Sequence, residues 1–201
     1  MRRALVLLLA LLAACRTSRP AGEETPIAPL TSTSPADAAR QLTARRAQLT
    51  GERSLLRMRA TNGDRSQSFR AQLQIDNSNR MLLTAYTPLG TTAVRLYADA
   101  SEVTFINDLE GTWWHGTAAD FANSFGFFGT TSPYAMALLI AGLPADASFT
   151  YDPPSYPPKH VTILRGAQKL EIETLESAIT TASVAKPSAP NGYRCCVAPR
   201  L

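Results

Sequence analysis

After Gly51 the chain alternates apolar and polar residues, the period expected of strands that bury one face. The clearest example runs from Arg80 to Ala98, where two alternating runs flank a central Thr87-Pro88-Leu89-Gly90. Proline presets φ at a first turn position, and glycine adopts positive φ where the backbone reverses. The pattern therefore predicts a β-hairpin whose tip is Pro88, Leu89 and Gly90.

The hairpin tip carries an aliphatic residue where a polar one is usual. Leu89 either folds back onto the core or is offered outward to something apolar, and the local sequence leaves both alternatives open.

Further strands and helices follow from the same periodicity. Proline after serine, or a threonine followed three residues later by aspartate, is typical of a helix start, and it occurs at Ser34, Thr117 and Ser132. Short strands are expected at residues 56–60, 69–75, 103–106, 113–114, 148–151, 161–164 and 170–175. Because the turns between them are short, we expect a mainly β fold, an antiparallel meander interrupted by helices.

The N-terminus has the features of a lipoprotein signal peptide. Arg2 and Arg3 precede an apolar run from Ala4 to Ala14, which is too short to span a membrane, and Leu-Ala-Ala-Cys at residues 12–15 resembles a bacterial lipobox. Residues 1–14 are therefore predicted to be removed, leaving Cys15 as the lipidated first residue. Each buried acyl CH₂ contributes about 0.8 kcal/mol, so two or more chains hold a protein on a bilayer. The residue after the cysteine is Arg16 rather than the inner-membrane retention signal aspartate, which favours the outer membrane.

Composition divides the remainder of the chain. Residues 15–34 are rich in Pro, Thr, Ser and Ala and predict a flexible tether with a root-mean-square span of about 25 Å. Residues 35–182 make up one folded domain, and residues 183–201, which lack a strand pattern, are expected to be a disordered tail.

Charge and chemistry-bearing residues exclude several classes. The formal net charge of +4 includes two signal-peptide arginines, so binding of nucleic acid is not indicated. Cys195 and Cys196 are adjacent, an arrangement that strains a disulfide, and no metal-ligand spacing or cofactor motif is present. His115 and His160 lack a recognisable catalytic motif, and we expect a protein that is not an enzyme, with hydrolysis kept as an alternative.

One family resemblance covers about residues 54–152. The chain resembles the outer-membrane lipoprotein LolB family in the order and spacing of four segments: Arg80 to Thr92 with its Pro-Leu-Gly tip, Val103 to Ile106, Thr117 to Phe121, and Ile140 to Pro144. The resemblance implies a curved, incomplete antiparallel β-barrel with a helical plug or lid. It also implies a monomer on the periplasmic face of the outer membrane that accepts lipoproteins from a LolA-like carrier and inserts them into the inner leaflet, without a nucleotide.

The resemblance assigns roles to residues of this chain. Leu89 falls on the exposed aliphatic tip that contacts the membrane during insertion. Acyl chains would occupy an apolar cavity under the helices. The strand and helix patterns offer eleven candidates for its lining, although residues of this kind are more often ordinary core residues than acyl contacts: Phe69, Leu73, Met81, Leu83, Val94, Leu96, Val103, Phe105, Met136, Leu139 and Ile140.

The end of the chain departs from the family. Beyond Asp152 the similarity thins, and residues 161–175 supply fewer strands than a complete barrel of this type needs. An alternative therefore stays open, a lipid-sensing or envelope-scaffold binding module with the same fold and no transfer activity.

Overall fold

A computed structural model describes residues 25–28, 30, 34–125, 132–142, 158–165 and 167–195. In chain order its elements are β1 (Thr25–Pro26), α1 (Pro35–Ala47), β2 (Gly51–Asn62), β3 (Arg65–Asp76), β4 (Met81–Tyr86), β5 (Thr92–Ala98), β6 (Val103–Asn107), β7 (Thr112–Gly116), α2 (Ala118–Phe125), α3 (Pro133–Ile140), β8 (His160–Arg165), β9 (Gln168–Ile179) and β10 (Arg194–Cys195).

The strands form one open sheet. Strands β2 to β7 follow one another as an antiparallel meander, β9 pairs with the free edge of β2, and both β8 and β1 pair with β9. At the opposite edge the short β10 runs parallel to β7. The predicted fold class, mainly β with helices and an antiparallel sheet that does not close, is confirmed.

The meander gives the sheet two distinct ends. The hairpin turns β2–β3, β4–β5, β6–β7 and β8–β9 all lie at one end, which we call the tip end. The turns β3–β4 and β5–β6 lie at the other, which we call the base end, and β7 also runs toward it before α2 begins.

The core lies on one face of the sheet, which we call the inner face. Alternate residues of the strands face it, and α1, α2 and α3 contribute Leu42, Phe121 and Met136 to the same buried cluster. Trp114 packs against Phe121 with ring centroids 5.5 Å apart. Helices therefore fill the inner face in the way that a second sheet would fill a sandwich.

Two of the predicted helix starts have the expected caps. The Thr117 hydroxyl accepts a hydrogen bond from the amide of Asp120 at 3.1 Å, while the Thr117 amide donates to the Asp120 carboxylate at 3.3 Å, a reciprocal capping box. The Ser132 hydroxyl accepts from the amide of Ala135 at 3.1 Å. The threonine and serine predicted as N-caps therefore do cap the starts of α2 and α3.

The segment from Thr180 to Cys195, which we call the C-terminal strap, differs from the predicted disordered tail. It begins at the base end, where the Thr180 amide donates to the Gly51 carbonyl at 2.9 Å. Val184 is fully buried, and the Tyr193 hydroxyl donates to the Asp108 carboxylate near the tip end at 2.9 Å. Residues 183–195 are therefore ordered along the sheet, held by long-range polar contacts instead of by an apolar period.

Asp76 is the residue that holds the strap at the base end. Its buried carboxylate accepts hydrogen bonds from the amides of Ser78 and Val184, each at 2.9 Å, and from the Arg80 guanidinium at 2.9 Å. Burial by itself raises the pKa of Asp76, but the bonds from Val184, Arg80 and Ser78 outweigh it, and the pKa lies below its usual range. Asp76 therefore remains charged and ties the β3–β4 turn to the strap.

The predicted flexible tether is wrong for its described residues, because β1 pairs with β9 and both Ile27 and Leu30 pack against the core. Several other predicted features lie outside the described residues: the signal peptide at 1–14, Cys15, the tether at 16–24, 29 and 31–33, the strand at 148–151, Cys196, and residues 197–201 of the tail. They stay predictions. Among the described helices none combines the length and apolar character needed to cross a membrane.

Candidate functional site

The β4–β5 hairpin presents Leu89 to solvent. The Gly90 amide donates to the Thr87 carbonyl at 2.9 Å, the Thr87 amide donates to the Thr91 carbonyl at 2.9 Å, and the hydroxyls of Thr87 and Thr91 lie 2.8 Å apart. Gly90 has a φ of 83°, the left-handed conformation that closes such a turn. In this closed turn the Leu89 side chain is 92% exposed. Of the two orientations that the local sequence leaves open, the structure has the outward one.

The eleven cavity candidates divide into two groups by their burial. Six of them are fully packed in the core cluster: Leu73, Met81, Leu96, Val103, Met136 and Ile140. Those on strands occupy two neighbouring rows of the sheet, with Met81 and Val103 in the row nearest the base end and Leu73 and Leu96 in the next. Ordinary packing accounts for the burial of these six.

The other five candidates are only partly buried: Phe69, Leu83, Val94, Phe105 and Leu139. We call them the accessible patch. Leu83 and Phe105 both flank Leu96 in register, and Val94 lies beside Ala85 one step nearer the tips. Packed and half-covered candidates therefore share one row of the sheet, since Leu83 and Phe105 are only partly buried on either side of the packed Leu96.

A groove of about 540 Å³ lies beside the Leu89 hairpin. Residues of β2, β3 and β4 line it together with the turn itself: Leu55, Arg57, Ser68, Phe69, Arg70, Tyr86, Thr87, Pro88 and Gly90. Arg57 and Arg70 are directly opposite each other in the β2–β3 ladder. Like charges in that position repel, so an anion bound in the groove would be stabilised.

The two arginines of the groove differ in their neutralisation. Arg57 forms an ion pair with Glu173 of β9, with Nη1 and Oε2 2.5 Å apart. Arg70 is exposed and has no ion-pair partner within the described part of the chain. Burial raises the pKa of Tyr86, the cross-strand neighbour of Arg70, so this phenol stays neutral. The groove therefore combines an apolar floor with at least one unneutralised cation.

The remaining chemistry-bearing residues do not converge. The His115 ring lies 3.2 Å from the Thr104 hydroxyl and 3.4 Å from the Glu102 carboxylate, His160 is exposed at the start of β8, and Cys195 is exposed in β10. Over the residues that the structure describes, no set of three or more His, Cys, Asp or Glu side chains is arranged to hold a metal ion.

Two exposed leucines escaped the sequence reasoning. Leu109 in the β6–β7 turn is 66% exposed, and Leu164 near the β8–β9 turn is 71% exposed. The signal was the one that marks Leu89, an aliphatic residue next to turn residues, as in Asp108-Leu109-Glu110-Gly111.

Comparisons with solved structures give likenesses to this chain. A crystal structure of a LolA superfamily protein, NE2245 from Nitrosomonas europaea, is similar over 72% of this chain and 94% of that one, with 6% sequence identity and a TM-score of 0.42. No protein-family model matches the chain, and no curated protein matches it. Its function therefore has to be inferred from the geometry of its own residues.

Proposed function

We propose that this protein is an outer-membrane lipoprotein of the LolB type. It accepts lipoproteins from a LolA-like periplasmic carrier, holds their acyl chains on its inner face, and passes them to the inner leaflet of the outer membrane. The process needs no catalytic side chain, because acyl chains move between apolar environments of similar free energy.

The accessible patch supports the acyl-binding part of this proposal. Five apolar side chains, four on the inner face of the sheet and one on α3, are only partly buried, whereas Leu73 and Leu96, the cross-strand neighbours of Leu83, are packed. An acyl chain laid on this patch would complete the burial of apolar surface at about 25 cal/mol per Å². The phenylalanines at positions 69 and 105 offer broad contact area to a ligand of variable length.

The single observation that carries the proposal is the orientation of Leu89. A leucine that is 92% exposed at the tip of a hydrogen-bonded turn gains nothing in the folded chain, whereas burial of a leucine side chain in an apolar medium contributes about 1.5–3 kcal/mol. The turn therefore presents an aliphatic side chain that is suited to entering a bilayer.

The lipobox supplies the attachment. Lipidation at Cys15 would hold the protein on the periplasmic face of the outer membrane, and residues 16–24 would link this anchor to β1, which pairs with β9 at the base end of the sheet.

The test is the variant Leu89→Glu in a transfer assay from a loaded carrier to liposomes. Because Leu89 contacts nothing in the core, the variant should fold with an unchanged melting temperature and accept cargo normally. Release into lipid should fall at least tenfold, since a charged carboxylate at the tip opposes insertion. Leu89→Met, which restores an apolar tip, should retain transfer. Normal release by Leu89→Glu would show that the tip has no role in insertion.

A second candidate function is a lipid-sensing or envelope-scaffold binding module. The observation that favours it is the packing of six of the eleven cavity candidates into solid core, which leaves less room than a whole-length cavity. If the wild-type protein takes acyl chains from a loaded carrier and binds them tightly but releases none into liposomes, the result would support a binding module over a transfer protein.

A further inference from the structure

The exposed large hydrophobic residues are not scattered over the described surface. Leu89, Leu109 and Leu164 are 92%, 66% and 71% exposed, and Ile179 follows at 37%. Leu89 lies in the β4–β5 turn, Leu109 in the β6–β7 turn, and Leu164 next to the β8–β9 turn. The three most exposed therefore all lie at the tip end, and Ile179 at the base end.

The turn around Leu109 is as well ordered as that around Leu89. The Asn107 side chain accepts hydrogen bonds from the amides of Leu109 and Glu110 at 3.1 and 3.2 Å. The neighbouring Asp108 is held by the Arg95 guanidinium, with bonds of 2.7 and 2.9 Å, and by the strap through Tyr193. These contacts fix the backbone of the turn in a conformation that leaves the Leu109 side chain exposed.

Sheet geometry relates the three positions. The β4–β5 and β6–β7 hairpins are neighbours, since β5 pairs with β6, and their centres are about 10 Å apart at the usual strand spacing. Leu164 pairs with Lys169 and so lies several residues further along the strand direction than the row that ends at Tyr86. In barrel-like sheets the strands tilt and their register is staggered, which allows tips at different register levels to meet one plane.

Cationic side chains lie between these leucines. Arg57 and Arg70 face each other across the β2–β3 ladder in the groove beside the Leu89 turn, between the β8–β9 and β4–β5 hairpins in the strand order. Arginine binds phosphate oxygens through paired N–H donors. Aliphatic tips suit the hydrocarbon region of a bilayer, and arginines beside them suit the phosphate layer above it.

We propose that the tip end is a membrane-docking edge, in which Leu109 and Leu164 enter the bilayer beside Leu89 while Arg57 and Arg70 bind lipid phosphates. This inference rests on the proposed role of Leu89 and extends it from one contact to a three-point contact. A single contact leaves the protein free to pivot, whereas three contacts fix the orientation of the accessible patch relative to the bilayer.

The experiment measures the depth of each tip in the membrane. The full chain, produced in a bacterial host with Cys195 and Cys196 replaced by serine, carries one spin label in the variants Leu89→Cys, Leu109→Cys or Leu164→Cys. Each is reconstituted on vesicles of phosphatidylethanolamine and phosphatidylglycerol, and label accessibility to oxygen and to a water-soluble nickel complex is compared. Ala100→Cys in the β5–β6 turn at the base end is the aqueous control.

The docking edge predicts that all three tip labels are oxygen-accessible and shielded from nickel, while the Ala100→Cys label shows the reverse. If only the Leu89→Cys label is shielded, the three-point edge is overturned and the proposed function stands. If no tip label is shielded, both are overturned.

The phosphate contacts have a separate readout. Arg57→Gln combined with Arg70→Gln should reduce the ratio of inserted to uninserted Leu109→Cys label by about fivefold per arginine, the usual gain for a basic residue near an anionic surface. Arg40→Gln on α1, an exposed arginine away from the tips, is the matched control. An unchanged ratio in the double variant, or an equal loss in the control, would remove the arginines from the docking edge.

Discussion

Replacing Asp76 by asparagine should release the C-terminal strap from the base end of the sheet. One carboxylate oxygen, Oδ1, accepts from the amide of Ser78, and the other, Oδ2, accepts from the Arg80 guanidinium and from the amide of Val184, each at 2.9 Å. In the asparagine variant, the side-chain nitrogen takes one of these positions. If it replaces Oδ2, an N–H group faces the donors of Arg80 and Val184.

The expected cost follows from the bonds lost. Hydrogen bonds to a charged group contribute about 1.5–3 kcal/mol each, so losing the two at Oδ2 should lower the free energy of unfolding by about 3–6 kcal/mol. That range overlaps the value of about 3–5 kcal/mol for breaking a buried ion pair by removing one partner.

Urea unfolding and native-state hydrogen exchange together measure the effect. Asp76→Asn should lower the unfolding midpoint and speed exchange at the Val184 amide more than at amides in the centre of β3. Asp99→Asn is the matched control, because Asp99 closes the β5–β6 turn through the amides of Ser101 and Glu102 without bonding the strap. It should leave exchange at Val184 unchanged.

The reasoning would be refuted if Asp76→Asn lost less than about 1 kcal/mol, the value of an ordinary neutral hydrogen bond, with Val184 still protected. The strap would then be held by its own backbone geometry, and Asp76 would serve the β3–β4 turn alone.

Two further predictions concern acid stability and the inner face. The pKa of Asp99 is lowered to about 2 and that of Asp76 is also lowered, both from an ordinary value of 3.8. Because protonation of these groups then disfavours the folded state, the free energy of unfolding should be level above about pH 4 and fall toward pH 2. An acid titration in which the double variant Asp76→Asn with Asp99→Asn loses stability as steeply as the wild type would contradict this. Leu73 and Leu83 are opposite each other in the β3–β4 ladder, but Leu73 is packed and Leu83 is partly buried. Leu73→Ala should therefore cost about 2–5 kcal/mol of stability and reduce acyl binding only in proportion, whereas Leu83→Ser should weaken binding of a fluorescent fatty acid with a smaller loss of stability. Equal effects of the two variants on both measurements would contradict the division between core and accessible patch.

The sheet could be predicted from the sequence because its signals are local. Strict alternation from Phe69 to Ile75 and from Met81 to Leu96 requires only that one face be buried, and the Pro-Leu-Gly turn is fixed by the conformational preferences of its own residues. The helix starts at Thr117 and Ser132 are equally local, since each cap bonds an amide three residues away.

The strap could not be predicted, because its stabilising contacts join residues that are 84 to 108 positions apart in the sequence. Val184 donates to Asp76, and Lys186 pairs with Glu102. A Ser, Ala and Pro-rich segment with one buried apolar side chain, that of Val184, has no apolar period, and its composition is also that of a disordered tail.

Periodicity likewise predicted which face of the sheet the cavity candidates occupy but not how deeply each side chain is buried. Leu83 and Leu96 belong to the same face and are cross-strand partners, yet Leu96 is packed and Leu83 is half-covered. The difference depends on where the helices end over the sheet, which is a tertiary property. Leu109 and Leu164 became significant for the same reason, because only the strand order shows that their turns share an end with Leu89.

Lipoprotein sorting in the native host tests the central claim most directly. Depletion of this protein, followed by membrane fractionation, should cause other lipoproteins to accumulate in the periplasm or inner membrane, and complementation with the wild-type chain but not with Leu89→Glu should restore their delivery. Normal sorting after depletion, or full rescue by Leu89→Glu, would contradict the account.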